Sequence, residues 1–134
     1  MRVVIDTNIL VSALLNPYGI PAEVLGMMLE DKITPCYDVR ILFEYIEVLH
    51  RPKFKFSKLE INALIDFIKD NGLLTIALKY PHNLKDPEDL PFLEVALGCQ
   101  AEFLITGNSA HFPGKIGVTR TVSPSEFVKI YFSA

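Results

Sequence analysis

The sequence predicts an α/β fold, a three-layer α/β/α sandwich with a central parallel sheet of four to five strands. Three observations carry this prediction. Short apolar runs, such as Val3-Val4-Ile5 and Phe103-Leu104-Ile105, alternate with segments of helical periodicity along the whole chain. The first run, rich in β-branched residues, suits a strand buried on both faces. The chain has 134 residues, half of them apolar, which is enough for one substantial core. No repeat, low-complexity stretch or linker divides it, so residues 1–134 read as one domain.

Residues 2–5 form the first strand and end at Asp6. Helices follow over about 7–15 and 21–30, parted by the breaker stretch Asn16-Pro17-Tyr18-Gly19. Ile33 to Tyr37 is a short strand in which Pro35 argues for a sheet edge or a strand end. Residues 38–50 read as helix, stopped by Pro52. Ser57-Lys58-Leu59-Glu60 is a capping box, in which the Ser oxygen takes a backbone N–H and the Glu reaches back. It opens a helix to about Asn71, with Gly72 supplying a left-handed stop. Leu73 to Leu78 is the next strand, and the turn cluster Asp86-Pro87-Glu88-Asp89 leads into a helix through Gln100. Glu102 to Thr106 and Val118 to Val122 complete the strands. Ser123-Pro124-Ser125-Glu126 is a second capping box, with Pro at the first helical position, where its missing N–H costs nothing.

Composition bounds the function classes. No apolar run approaches the roughly 18 residues that cross a bilayer, which gives no membrane association. The N-terminal run Met1-Arg2-Val3-Val4-Ile5-Asp6 meets a charge too early for a signal peptide, and the expected location is cytoplasmic. Cys36 and Cys99 stand alone, so they read as buried thiols and not as a zinc or redox motif. The formal net charge of -3 gives no reason to expect nucleic acid, but carboxylates gathered around cations would also look acidic by count.

In a parallel sheet, ligands bind beyond the carboxyl ends of the strands, where strand order reverses. Asp6 stands at such an end. It either projects into a site, steadied by Thr7 and Asn8, or caps the helix that follows. Asp86 and Asp89 form a second pair. Pro91 and the residue before it resist helical geometry, so the helix starts near residue 90. That places Asp89 at its mouth, where a carboxylate is favoured, and leaves Asp86 a capping role. In the helix at 38–50, Arg40, Glu44 and Glu47 share one polar wedge on an otherwise apolar surface. A wheel does not choose between Glu44 and Glu47.

The order of these features carries more weight than any one of them. Val-Val-Ile-Asp-Thr-Asn at the start, Glu-Tyr-Ile-Glu-Val-Leu-His-Arg mid-chain, Asp-Pro-Glu-Asp-Leu-Pro-Phe-Leu-Glu-Val-Ala later and Phe-Leu-Ile-Thr-Gly-Asn last resemble the PIN-domain ribonucleases. The branch most resembled is the toxin component of prokaryotic toxin–antitoxin pairs. The resemblance implies that Asp6, Glu44 and Asp89 are the catalytic, metal-binding acids, which settles Glu44 over Glu47. It implies Mg²⁺ or Mn²⁺ as cofactor, RNA as substrate, products with 5′-phosphate and 3′-hydroxyl ends, a cognate antitoxin and a homodimer. One position departs. The family frequently has a fourth acid after the Thr-Gly of the penultimate strand, and Asn108 stands there, offering a carbonyl oxygen without charge. Thr106 could add a hydroxyl and Asp86 a charge.

A cation is also expected on electrostatic grounds. Two carboxylates about 4 Å apart repel by roughly 4 kcal/mol at an effective dielectric of about 20. Three converging acids without Lys or Arg nearby in sequence must protonate or bind a divalent ion, and oxygen donors suit Mg²⁺ or Mn²⁺. The stretch His50 to Phe56 interleaves cations with aromatics, the composition of a single-strand RNA contact. As a short charged connector with Phe54 and Phe56 anchored in the core, it needs no such role. Rival readings are an aspartyl-phosphate phosphatase, which would want an acid where Asn8 stands, a housekeeping RNA-processing nuclease, and a non-catalytic RNA-binding module. No glycine-rich phosphate loop supports a nucleotide-binding protein.

Overall fold

The computed structural model describes residues 1–84 and 86–133. Its strands are β1 (Arg2–Ile5), β2 (Thr34–Tyr37), β3 (Leu73–Leu74), β4 (Phe103–Ile105), β5 (Lys115–Ile116) and β6 (Thr119–Val122). Its helices are α1 (Thr7–Leu15), α2 (Ile20–Leu29), α3 (Val39–Leu49), α4 (Lys58–Asn71), α5 (Leu90–Cys99) and α6 (Pro124–Phe132). The strands form one sheet in the order β3-β2-β1-β4-β6-β5, parallel except for β5, which pairs antiparallel with β6. Val3, Val4 and Ile5 are all buried, as are Phe103, Leu104 and Ile105. Successive strand residues point to opposite faces, so helices must cover both sides of the sheet. The α/β sandwich read from the sequence is the fold, with β5 as an added antiparallel edge. Among the described residues no single helix is long and apolar enough to cross a membrane.

Helix starts follow their caps. Ser123 and Glu126 satisfy each other's backbone N–H groups, whereas Ser57 accepts from the Glu60 N–H alone. Three local expectations need correction. Gly72 is extended, with φ -77 and ψ 172, not left-handed. A Cβ there would lie 2.5 Å from the Ile68 carbonyl oxygen and 2.8 Å from that of Pro35, so close approach requires the glycine. The strand expected over 73–78 is only Leu73–Leu74. Beyond it the chain runs past α5, where Gly98 admits the Ile76 carbonyl to 2.2 Å from the position of an added Cβ.

Pro35, expected at a sheet edge or a strand end, lies near the start of an interior strand, so it is the edge reading that is corrected. The Thr34 N–H donates toward β1, to the Met1 carbonyl, so the next nitrogen faces the β3 side. Pairing with β3 begins only at Cys36, and the missing proline N–H therefore breaks no ladder bond. From β1 the chain steps outward to β2 and β3, then returns to place β4 on the other flank of β1. The reversal thus lies between β1 and β4, and their carboxyl ends open the crevice in which this class of sheet binds ligands.

Candidate active site

Asp6 leaves β1 at this reversal. Its N–H still donates to the Ile105 carbonyl, 2.9 Å away, so the residue remains tied to the end of β4. Its side chain makes no cap bond to α1. Instead the fully buried Thr106 hydroxyl, just past β4, donates to Asp6 Oδ2 at 2.7 Å. The same hydroxyl oxygen accepts the Asn108 N–H at 3.0 Å, and the Gly107 N–H donates to Asn8 Oδ1 at 3.2 Å. The turn after β4 is therefore laced to the start of α1. Of the two sequence readings of Asp6, helix cap or projecting carboxylate, the geometry supports the second.

α3 brings Glu44 to the same place. Asp38 caps this helix by accepting the Ile41 N–H at 3.0 Å. One turn on, the Thr7 hydroxyl donates to Glu44 Oε2, and the buried Tyr45 hydroxyl donates to the Ile5 carbonyl at the end of β1. Glu47, equal to Glu44 on a helical wheel, lines the same cleft but pairs with Arg51 at 3.0 Å. Asp89 closes a short 3-10 turn, Pro87–Asp89, and stands at the mouth of α5, where Pro91 had placed it.

Asp6, Glu44 and Asp89 all line one open cleft of about 860 Å³, together with Thr7, Asn8 and Asn108. Asp86 is not among its lining residues. It is exposed and caps the 3-10 turn by accepting the Glu88 N–H at 2.9 Å. Arg40 and Phe43, to which the sequence assigned no place at the site, share the cleft wall with Arg51 and Phe54 from the stretch read either as an RNA contact or as a plain connector. The expectation of acids without a nearby cation is corrected accordingly. Arg40 sits on that wall but is engaged by Asp38 at 2.8 Å and Glu94 at 2.7 Å, and Arg51 by Glu47. The position of Arg40 four residues before Glu44 was a legible signal. Its partner Glu94, 54 residues away, was not.

The acids strain against one another. Burial raises the Asp6 carboxyl, the negative charge of Glu44 adds to this, and bonds from Thr106 and the Thr7 backbone partly offset it. Glu44 is raised first by burial and then by Glu88, Asp89 and Glu47, while the Thr7 hydroxyl opposes. Asp89 is pushed up to about 6 by burial, then by Asp6 and Asp86, with His111 opposing. His111 had carried no sequence signal. Among the described residues no three acidic, imidazole or thiol side chains gather tightly enough to enclose one ion, so the acid cluster is open.

A profile of the PIN domain matches residues 2–110, which spans every element from β1 through the turn after β4. The chain belongs to the PIN domain family. It is also 31% identical, over 111 residues, to an uncharacterized protein of Methanocaldococcus jannaschii, covering 81% of this chain and 71% of that relative. PIN domains are generally nucleases, mostly ribonucleases, and typically use divalent metals. The donors that this PIN domain offers at its cleft are carboxylate, hydroxyl and amide oxygens, with no thiol lining it, a set that fits a hard divalent ion.

Proposed function

We propose that this PIN domain is a divalent-metal-dependent endoribonuclease in which Asp6, Glu44 and Asp89 hold Mg²⁺ or Mn²⁺, directly or through water. The observation that carries the reading is the convergence of three carboxylates from separate elements on one cleft, each with its pKa raised by burial and by its neighbours. A cation relieves that repulsion. Mg²⁺ keeps several of its waters, so some of these acids can hold it through water. When bound, the ion supplies a water of lowered pKa and a counter-charge for the phosphoryl oxygens.

The chain's own residues orient and hold. Thr106 fixes the Asp6 carboxylate, and Thr7 fixes that of Glu44. Asn8, bonded to the Gly107 N–H, keeps the two strand ends together. Asn108 offers an amide oxygen at the corner where the family frequently carries an acid, which favours one well-held ion over two. Asp86 acts on the site only by its charge near Asp89.

The protein is further proposed as the toxin component of a toxin–antitoxin pair, cytoplasmic and homodimeric, a reading that rests on the sequence resemblance. Support for a protein partner comes from a second, apolar groove of about 630 Å³ bordered by Leu14, Leu25, Leu29, Leu64 and Phe67. Asn108 and the open cluster favour one second reading, a catalytically weak RNA-binding module.

The test is cleavage of a fluorescent single-stranded RNA with Mn²⁺, using Asp6→Asn as control and calorimetry for metal binding. We expect cleavage by wild type, its loss on Asp6→Asn, and its loss with EDTA. If wild type and variant are equally inert and neither binds Mn²⁺, the nuclease reading fails.

A further inference from the structure

Phe43 immediately precedes Glu44 on α3, and the residue is 68% exposed. Single exposed apolar residues are common on protein surfaces and need no explanation. This one lines the acidic cleft itself. It is not among the side chains packed against the hydrophobic core. Phe54, on the same cleft wall and likewise outside the core, is held by its neighbours. It is half-buried, stacked on Phe56 at 5.4 Å with an interplanar angle of 11°, and faced by the Lys53 ammonium 5.1 Å from its centroid. The cleft therefore joins a carboxylate cluster to an apolar wall on which one ring is held by its neighbours and one is presented to solvent.

A phosphodiester chain has the complementary pattern. Each phosphate carries charge, and the nucleobases on either side of it carry flat apolar faces that stack on aromatic rings with little regard to sequence. In a duplex those faces are covered by the neighbouring base pairs, whereas an unpaired nucleotide can splay its base onto a side chain. We propose that Phe43 is a base-stacking platform beside the acid cluster. On that reading the ring stacks on the base next to the phosphate that is cut. The inference deepens the ribonuclease reading and rests on it for the identity of the ligand.

The test uses the full chain with Mg²⁺ and a short single-stranded oligoribonucleotide carrying 2-aminopurine, with phosphorothioate linkages that resist cleavage. Stacking quenches 2-aminopurine, so wild type should bind and darken the probe. Phe43→Ala should bind on the order of 10-fold more weakly and leave the probe bright, and Phe43→Trp should restore both. Because the ring is exposed, Phe43→Ala should melt with wild type. The same oligonucleotide in a duplex should bind more weakly than the single strand. Equal binding and quenching by wild type and Phe43→Ala would overturn the proposal. Equal binding of duplex and single strand, or no binding of either, would also overturn it. The two readings fail separately. Wild-type cleavage with an inert Phe43→Ala effect rejects the platform alone, whereas intact quenching without Mn²⁺-dependent cleavage rejects the nuclease alone.

Discussion

Replacing Thr106 by Val tests whether the tie between β4 and Asp6 is electrostatic or merely a matter of packing. Val keeps the shape of Thr and removes only the hydroxyl. That hydroxyl is fully buried, donates to Asp6 Oδ2 at 2.7 Å and accepts the Asn108 N–H at 3.0 Å. A hydrogen bond to a charged group contributes about 1.5–3 kcal/mol, and water in the open cleft can serve the Asn108 N–H in its absence. The expected loss at neutral pH is therefore about 2 kcal/mol, or roughly 5–10 °C in Tm for a chain of this size.

The sign of its pH dependence follows from Asp6. Burial raises this carboxyl above 3.8, and the Thr106 bond pulls it partway back. Without the bond the folded-state pKa rises further, so the penalty belongs to the ionised form. It should be full well above the carboxylate range and vanish as pH falls through it. Urea denaturation of both proteins at neutral pH and near pH 4, with EDTA present, measures this directly. A loss below about 0.5 kcal/mol at neutral pH, or one that does not change with pH, would refute the electrostatic role. Thr106→Ser should retain the pH dependence of wild type.

Three further predictions follow from the same geometry. Asp89 has a folded pKa of about 6 against 3.8, so its stability contribution is full below 3.8 and is lost as pH rises through 6. Metal-free Asp89→Asn should thus be more stable than wild type above pH 6, by up to about 1 kcal/mol after discounting for solvent screening and helix dipole, and equal near pH 4 in thermal melts. Tyr45→Phe removes the buried donor to the Ile5 carbonyl and should cost about 1–3 kcal/mol in urea, whereas unchanged stability would mean that water replaces it. Gly98→Ala should cost roughly 1–3 kcal/mol, because its Cβ meets the Ile76 carbonyl oxygen at 2.2 Å. Gly26→Ala in α2, with open space around it, should instead gain up to about 1 kcal/mol, so equal effects at the two glycines would contradict the packing.

Local chemistry made much of this protein legible in its sequence. A β-branched run ending in Asp6 announces a strand with an acid at its carboxyl end. Pro91 alone moves the start of α5 to Leu90 and leaves Asp89 at its mouth, and Ser123 with Glu126 marks the start of α6. These features depend on neighbours a few residues apart, which a sequence displays directly. The choices that only the tertiary structure made involve partners far along the chain. Glu44 and Glu47 share one wedge of α3 and both line the cleft, and what separates them is Thr7, 37 residues away, which meets Glu44, while Glu47 pairs with its own neighbour Arg51. Asp6 could have capped α1 until Thr106, a hundred residues later, was seen to hold its carboxylate. Gly72 is required by the carbonyls of Ile68 and Pro35, not by its own φ. Helical and capping rules assign each residue a face or an end. Which of those faces meet is set by sheet order, and here the reversal between β1 and β4 decides that the separate acids share one cleft.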